Sequence, residues 1–378
     1  MSGPLRADHP RHRELMQVAL RRAVRALGRT RPNPCVGAVV ARDGHILSVG
    51  HHARAGTAHA EVIALRKAGP AARGADLYVT LEPCNHHGRT PPCTDAVLQA
   101  GIARAFVAIP DDNPRVTGGG IARLRAAGVE VHVGLLAGPA RDLVSGFFMR
   151  CAADRPEVIL KAAVSVDGRL ATAAGQSAGL SGPRAHAWLH RLRDRVDGIL
   201  VGAGTVAADS PRLTARRPPL GARGRRDWVR IIVDSALRTA GNPGVWSDPS
   251  APAPWFLCAV DAPQDAVDAL RTRGATVHAV PRTARGLDLR QALGWLGAQG
   301  LTRLLVEGGA QIHGSLLADR LADRVALVVT PRLLGDSAVP MARWSGPDQL
   351  DHTIVLEHPT WRRLGEDTLL EGMVRYRE

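Results

Sequence analysis

AHAEVIALRKAG (residues 58–69) and LEPCNHHGRTPPCTDAV (residues 81–97) together frame a stretch that runs from His59 to Cys93. His59 and Glu61 open an apolar helical segment in which Val62, Leu65 and Ala68 recur about one turn apart. Cys84 and Cys93 bracket a loop of His, Gly and Pro. One His and two Cys are a three-ligand zinc set, and three protein ligands leave the fourth tetrahedral position for water, as in catalytic zinc sites. Residues two apart on a helix do not face each other, so His59 and Glu61 both reach one ion only if it lies off the first turn. Glu61 then meets the water and can pass its proton to a leaving amine. Cys93 precedes a helical run, Thr94 to Ala100, whose N-terminus is expected to favour its thiolate. These parts suit hydrolytic deamination of an amidine-like carbon.

Outward from this stretch, the first half alternates. Met16, Leu20, Ala23, Val24 and Leu27 keep helical spacing up to Gly28. Val36 to Ala41 and Ile46 to Gly50 read as strands joined by an Asp43-Gly44 hairpin turn. After the His59 helix come a strand at Leu77 to Leu81, the cysteine loop, a helix, and a strand at Ala105 to Ile109. A helix at Gly120 to Ala127, a strand at Val129 to Val133 and a helix at Ala140 to Arg150 follow. The pattern predicts an α/β sandwich, a mixed sheet covered by helices. Asn33, held between Pro32 and Pro34, has an amide suited to reading a pyrimidine edge, although turn formation alone would also explain it.

A length of 378 residues makes two domains the expectation. Ala152 to Pro156 interrupts both periodicities, so the boundaries are set at 1–153 and 154–378. No apolar run reaches transmembrane length, and MSGPLRADHPRHREL lacks the apolar centre of a signal peptide, so no membrane association and a cytoplasmic location are expected. Two of five cysteines fit the metal site, and Cys35, Cys151 and Cys258 are scattered, which argues against a disulfide scaffold. The net charge of +14 invites a nucleic-acid reading. Against it, the basic residues are dispersed and aromatic residues are only 3%, too few for a base-stacking platform. Phosphorylated small ligands use a basic pocket equally well. Monomer and homo-oligomer are both compatible with the sequence.

His-x-Glu followed by Pro-Cys-x-x-Cys marks zinc nucleobase deaminases. Here eight residues separate the cysteines, and with that spacing EPCNHHGRTPPC resembles the deaminase half of the bifunctional riboflavin-biosynthesis deaminase/reductase family. The resemblance implies a cytidine-deaminase-like α/β/α sandwich in the first domain. It also places Asn33, His52, His86, Arg89, Asp111 and Asn113 around the substrate; the family often has Lys where this chain has Arg89.

The resemblance continues through the second half. LKAAVSVDGRLAT, opening at a strand from Val158 to Val164, is similar to the start of the family's reductase domain, a dihydrofolate-reductase-like α/β fold. It implies substrate contacts at Lys161, Ser177, Arg193, Leu213, Arg216 and Glu307, with Arg193 and Arg216 as bidentate grips for phosphate. Cofactor contacts are implied at Ala163, Gly179, Thr205, Asp209 and Ser235. Leu304 to Glu307 is a buried strand that feeds Gly308-Gly309 and a helix, the way a diphosphate meets backbone amides. The family match VEGGAQIHGSLL extends the NADPH site over Gly309, Ala310, Gln311, Ile312, His313, Gly314 and Ser315. Gly179 stands where the family pattern has Trp, and Ser210 replaces the second Asp of the usual pair. Strands at Arg324 to Thr330 and Leu369 to Tyr376 complete the sheet. Arg216 to Arg226 and Asn242 to Pro254 read as surface loops.

The implied function is a two-step one. A phosphoribosylated diaminopyrimidine is deaminated with zinc, and its ribosyl group is then reduced to ribityl with NADPH. A tRNA base deaminase would share the metal residues but would normally carry Cys-x-x-Cys and leave the second half unexplained. A zinc module fused to a nucleotide-binding regulator is the non-catalytic rival, and a degraded or re-specialised reductase half an intermediate one.

Overall fold

The computed structural model describes residues 6, 8–87, 91–113, 119–215, 228–249 and 251–377. Arg89, Arg216 and the loop read at Arg216 to Arg226 lie outside them. The chain forms two compact units, Met1–Asp154 and Arg155–Glu378. Among the described residues no helix is long and apolar enough to cross a membrane.

The first unit runs α1 (Pro10–Val24), β1 (Gly37–Arg42), β2 (His45–His51), α2 (Ala60–Ala68), β3 (Asp76–Val79), α3 (Cys93–Gln99), β4 (Arg104–Val107), α4 (Gly120–Ala126), β5 (Glu130–Val133) and α5 (Ala137–Ala153). The sheet order is β2-β1-β3-β4-β5, antiparallel across β2, β1 and β3 and parallel from β3 to β5. Asp43 and Gly44 have φ of 51° and 79°, the left-handed pair that a two-residue hairpin of this hand needs. Helices reach the sheet through glycine: a Cβ on Gly37 would lie 2.0 Å from Ala19 O in α1, and one on Gly50 2.2 Å from Ala60 O in α2. Leu15, Met16, Val39, Leu77, Phe106, Leu124 and Val144 are core residues here, each contributing about 1.5–3 kcal/mol by burial if large.

The second unit runs β6 (Glu157–Ser165), β7 (Arg169–Ala171), α6 (Pro183–Arg193), β8 (Gly198–Gly202), α7 (Ala203–Asp209), β9 (Val229–Val233), α8 (Pro243–Trp246) and β10 (Trp255–Ala259). It continues α9 (Gln264–Thr272), β11 (Thr276–Val280), β12 (Arg282–Thr283), β13 (Gly286–Leu287), α10 (Leu289–Ala298), β14 (Arg303–Val306), α11 (Ala310–Ala318), β15 (Arg324–Thr330), β16 (Val339–Pro340), β17 (Ile354–Leu364) and β18 (Asp367–Tyr376). The large sheet has the order β11-β10-β9-β8-β14-β6-β15-β18-β17. It is parallel from β11 to β15 and closes with the antiparallel β17–β18 hairpin.

Strand periodicity gives this sheet two cores. Val158 and Leu160 of β6, Ile231 of β9 and Leu304 of β14 belong to one cluster. Ile159, Ile232 and Leu305, their neighbours in sequence, belong to the other. Near-continuous apolar runs are what a parallel sheet covered on both faces requires. The expected surface loop at Asn242 to Pro254 is in part interior. Asn242 caps α8 by accepting from Gly244 N, Val245 is fully buried, and a Cβ on Gly244 would lie 1.9 Å from Ser210 O.

Candidate functional site

The metal residues of the first unit converge. Donor atoms of His59, Cys84 and Cys93 lie within 4.8 Å of one another, the one such His/Cys/Asp/Glu group among the described residues. His59 Nδ1 is 3.1 Å from Cys93 Sγ and 3.5 Å from Cys84 Sγ. His59 is the N-cap of α2 and lies outside its regular turns, which is how a residue two before Glu61 can share a site with it. Cys93 is the first residue of α3. One imidazole nitrogen and two sulfurs at this separation fit a tetrahedral zinc with an open position.

The two sulfurs are linked: hydrogen bonding from the Cys93 side chain leads in holding the Cys84 thiol low, and the Cys93 backbone N–H donates to Cys84 Sγ at 3.3 Å, whereas a bound zinc takes both as thiolates. The Cys93 thiol is pushed up because it donates to Cys84 and is buried. The backbone donor at the start of α3 is aimed across the loop at the other cysteine. Glu61 is 3% exposed, and burial raises its carboxyl to about 7.

Around this triangle, Asn33 Nδ2 donates to His52 Nε2 at 3.1 Å, which brings two of the expected pyrimidine contacts together. Burial keeps His52 below its ordinary value, which fits a neutral ring whose Nδ1 donates to Ala58 O at 3.3 Å. The His52 and His59 rings meet edge-on with centroids 5.2 Å apart. His86 is exposed on the cysteine loop. Asp111 and Asn113 follow β4, and Asp111 Oδ1 accepts the Asn113 N–H at 3.0 Å.

The second unit carries a cleft of about 850 Å³. Lys161, Ala163, Ser177, Gly179, Arg193, Thr205, Asp209, Leu213, Ser235, Glu307, Gly309 to Ile312 and Ser315 all line it. His313 and Gly314 do not, because α11 turns them inward. His313 is 0% exposed with Nδ1 against Met341 O at 3.1 Å, and a Cβ on Gly314 would lie 1.8 Å from Arg343 O. The ends of β8, β9 and β14 supply much of the lining, as expected for ligands at the carboxyl ends of parallel strands. Gly308 has φ 123°, and Gly309 is the N-cap of α11, so the start of that helix borders the cleft, a position that suits a phosphate.

Arg193 does not offer its fork to phosphate as expected. Its Nε and Nη2 donate to the Glu307 carboxylate at 2.6 Å each, and Nη1 donates to Thr214 O at 2.9 Å. Burial opposes charge on Glu307, but Arg193 outweighs it and holds the carboxyl below its usual range. Burial also lowers Lys161, with Glu307 acting against that shift. Ser177 Oγ donates to Asp209 Oδ1 at 2.9 Å. Ser210 caps α7 at φ 40°, and its hydroxyl accepts from Asn242 Nδ2 at 3.0 Å. Gly179, at φ 79°, has no atom within 4 Å of where a Cβ would stand.

Three charged cleft residues were not among the expected contacts: Asp234, Arg238 and Arg285. Asp234 Oδ2 accepts from Thr239 N and Oγ1 at 2.7 Å, while Oδ1 is buried without a partner among the described residues. An orphaned acceptor in a cleft fits a ligand hydroxyl, so the donor set and shape suit a sugar-bearing dinucleotide. Arg238 lies at the exposed end of the same turn. The position of a polar residue just past an apolar strand was its only sequence signal.

Comparison with known proteins agrees in both units. The profile described as RibD C-terminal domain matches residues 156–370, and that described as cytidine and deoxycytidylate deaminase zinc-binding region matches residues 9–109. The chain is 37% identical to riboflavin biosynthesis protein RibD of Escherichia coli over 94% of its length and 97% of that protein's. It is 39% identical to that of Aquifex aeolicus, covering 85% of this chain and 87% of the relative. The solved RibD of Acinetobacter baumannii superposes with a TM-score of 0.83 at 32% identity, covering 97% of this chain and 99% of the other. A Thermotoga maritima diaminohydroxyphosphoribosylaminopyrimidine deaminase/5-amino-6-(5-phosphoribosylamino)uracil reductase gives 0.82 at 30% identity, covering 97% and 99%. With a zinc-ligand triangle in one unit, a cofactor-shaped cleft in the other and relatives matched nearly end to end, the chain belongs to the RibD family of bifunctional riboflavin-biosynthesis deaminase/reductases.

Proposed function

We propose that the first unit deaminates the diaminopyrimidine phosphoribosyl substrate and that the second reduces the ribosyl chain of the resulting uracil, the pair of reactions named for the Thermotoga relative. The observation that carries the reading is the buried Glu61 carboxyl beside the His59, Cys84 and Cys93 triangle. Zinc bound by these three residues supplies a Lewis acid that brings the pKa of water toward neutrality. Glu61 takes a proton from the attacking water and returns it to the amino nitrogen, so that C–NH2 becomes C=O and ammonia leaves. Its raised pKa suits both directions of transfer near pH 7. Asn33 and His52, locked together, present polar edges to the pyrimidine ring, with His86, Asp111 and Asn113 as further contacts. Arg89 is proposed on resemblance alone.

In the second unit NADPH supplies the hydride for the sugar's C1. Lys161 and Glu307, at the β6 and β14 end of the cleft, hold the sugar. Arg193 acts through Glu307, fixing its carboxylate by two donors instead of gripping phosphate. Arg216 is proposed for the phosphate on resemblance alone. The α11 amides take the diphosphate. Arg238 has no hydrogen-bond or ion-pair partner among the described residues, and is proposed to meet the cofactor's 2′-phosphate, the group that NADPH has and NADH lacks.

Purified protein given the pyrimidine phosphate is expected to release ammonia first and then oxidise NADPH. Ammonia release without NADPH oxidation would retain the deaminase and sink the reductase assignment.

A further inference from the structure

We propose that Glu82 is a positioning residue of the deaminase: its carboxylate ties the cysteine loop to the Asp111 to Asn113 segment and so sets how the pyrimidine is held. This rests on the deaminase reading above. Glu82 stands two residues before Cys84 and is 9% exposed. Its Oε2 accepts the Asp111 N–H at 3.1 Å and its Oε1 accepts the Ile121 N–H at 2.9 Å, while its own N–H donates to Ile109 O at 3.0 Å. Burying a carboxylate is costly unless its oxygens are bonded. Here each oxygen has a donor, one from the loop after β4 and one from the first turn of α4, where N–H groups lack intrahelical partners.

The surrounding contacts are tight. A Cβ on Gly120 would lie 2.0 Å from Pro83 O, so α4 begins directly on the cysteine loop. One turn on, Arg123 donates from Nη1 to Asn85 Oδ1 at 2.8 Å and Thr94 Oγ1 at 3.1 Å, and from Nη2 to Asp95 Oδ1 at 2.5 Å. Asn85 follows Cys84 and Thr94 follows Cys93, so Arg123 already braces the neighbours of both cysteines. The part left to Glu82 is the bond to Asp111, whose carboxylate in turn orders Asn113. Its role therefore falls on substrate geometry more than on metal retention.

Glu82→Gln keeps the shape but replaces one acceptor oxygen with an NH2 group. The deaminase KM for the pyrimidine phosphate is expected to rise about tenfold to a hundredfold, the worth of a charge-assisted hydrogen bond, with kcat changed by no more than about threefold. Zinc content by elemental analysis, and NADPH oxidation on the already deaminated substrate, are expected to stay unchanged. An unchanged KM, or loss of zinc together with activity, would overturn the proposal. Should Glu82→Gln fail to fold, Glu82→Asp keeps the charge on a side chain one methylene shorter, which cannot span from the Ile121 N–H to the Asp111 N–H; slower turnover there with KM unaltered would also refute it. No ammonia from the unmutated protein would instead sink the deaminase reading itself.

Discussion

The two sites are built on opposite plans. In the first unit the chemistry is gathered from a short stretch, with His59 bonded to residues 25 and 34 positions away. In the second, Arg193 and Glu307 meet across 114 positions, and the cleft draws on the ends of several strands. A local site can keep its donors while the surrounding fold drifts. A dispersed one couples its chemistry to the stability of the whole sheet.

The sharpest break between the two plans should come from Glu61→Gln. Ammonia release is expected to fall about 10²- to 10⁴-fold, with zinc retained and NADPH oxidation on deaminated substrate untouched. A deaminase as fast as the unmutated protein would remove Glu61 from the reaction. Next in size is Glu307→Gln, which strands a buried guanidinium and should cost the second unit about 3–5 kcal/mol in denaturant unfolding along with its reductase activity. Adding Arg193→Met is expected to restore much of the stability but not the activity. If the double variant were as unstable as the single, the pair would not be the source of the loss.

Arg238→Gln tests the far end of the cleft with a smaller effect. The KM for NADPH should rise about tenfold and that for NADH much less, while deamination continues at full rate; equal rises for both cofactors would remove the phosphate contact. Smallest is a pH effect in the first unit. His12 is buried with Nδ1 2.6 Å from Tyr78 Oη, and burial lowers it from 6.5. The folded state therefore keeps the ring neutral while the unfolded chain protonates it. Stability from this site is complete above about pH 6.5 and is lost as pH falls below that, by at most about 1.4 kcal/mol per pH unit. Thermal melts between pH 7 and 5 should show a shallower slope in His12→Asn, and an identical slope would exclude the ring.

The same contrast explains what could be read in advance. The metal residues were legible because ligand type and spacing are properties of a short segment, and the Asp43-Gly44 turn because only certain residues accept its dihedral angles. The pairing of Arg193 with Glu307 was not, since nothing local announces a partner so far along the chain. That the Cys93 side chain and backbone N–H both donate to Cys84 depended on how the loop closes, and the interior of Asn242 to Pro254 on contact with Ser210. A run rich in Pro and Gly looks like a loop whether or not another segment covers it. His313 failed for a related reason: a motif marks a helix, but only packing decides which of its faces meets the ligand.

β6 is committed on both faces, with Val158 and Leu160 in one core and Ile159 in the other, and it carries Lys161 into the cleft. The amine's placement is thus inherited from side chains that never see substrate. One residue inserted ahead of Val158 could not be absorbed by sliding the strand, because a one-step slip exchanges the two faces along its whole length. Evolution can trim or reshape the loops at the mouth of this cleft far more freely than it can move that nitrogen.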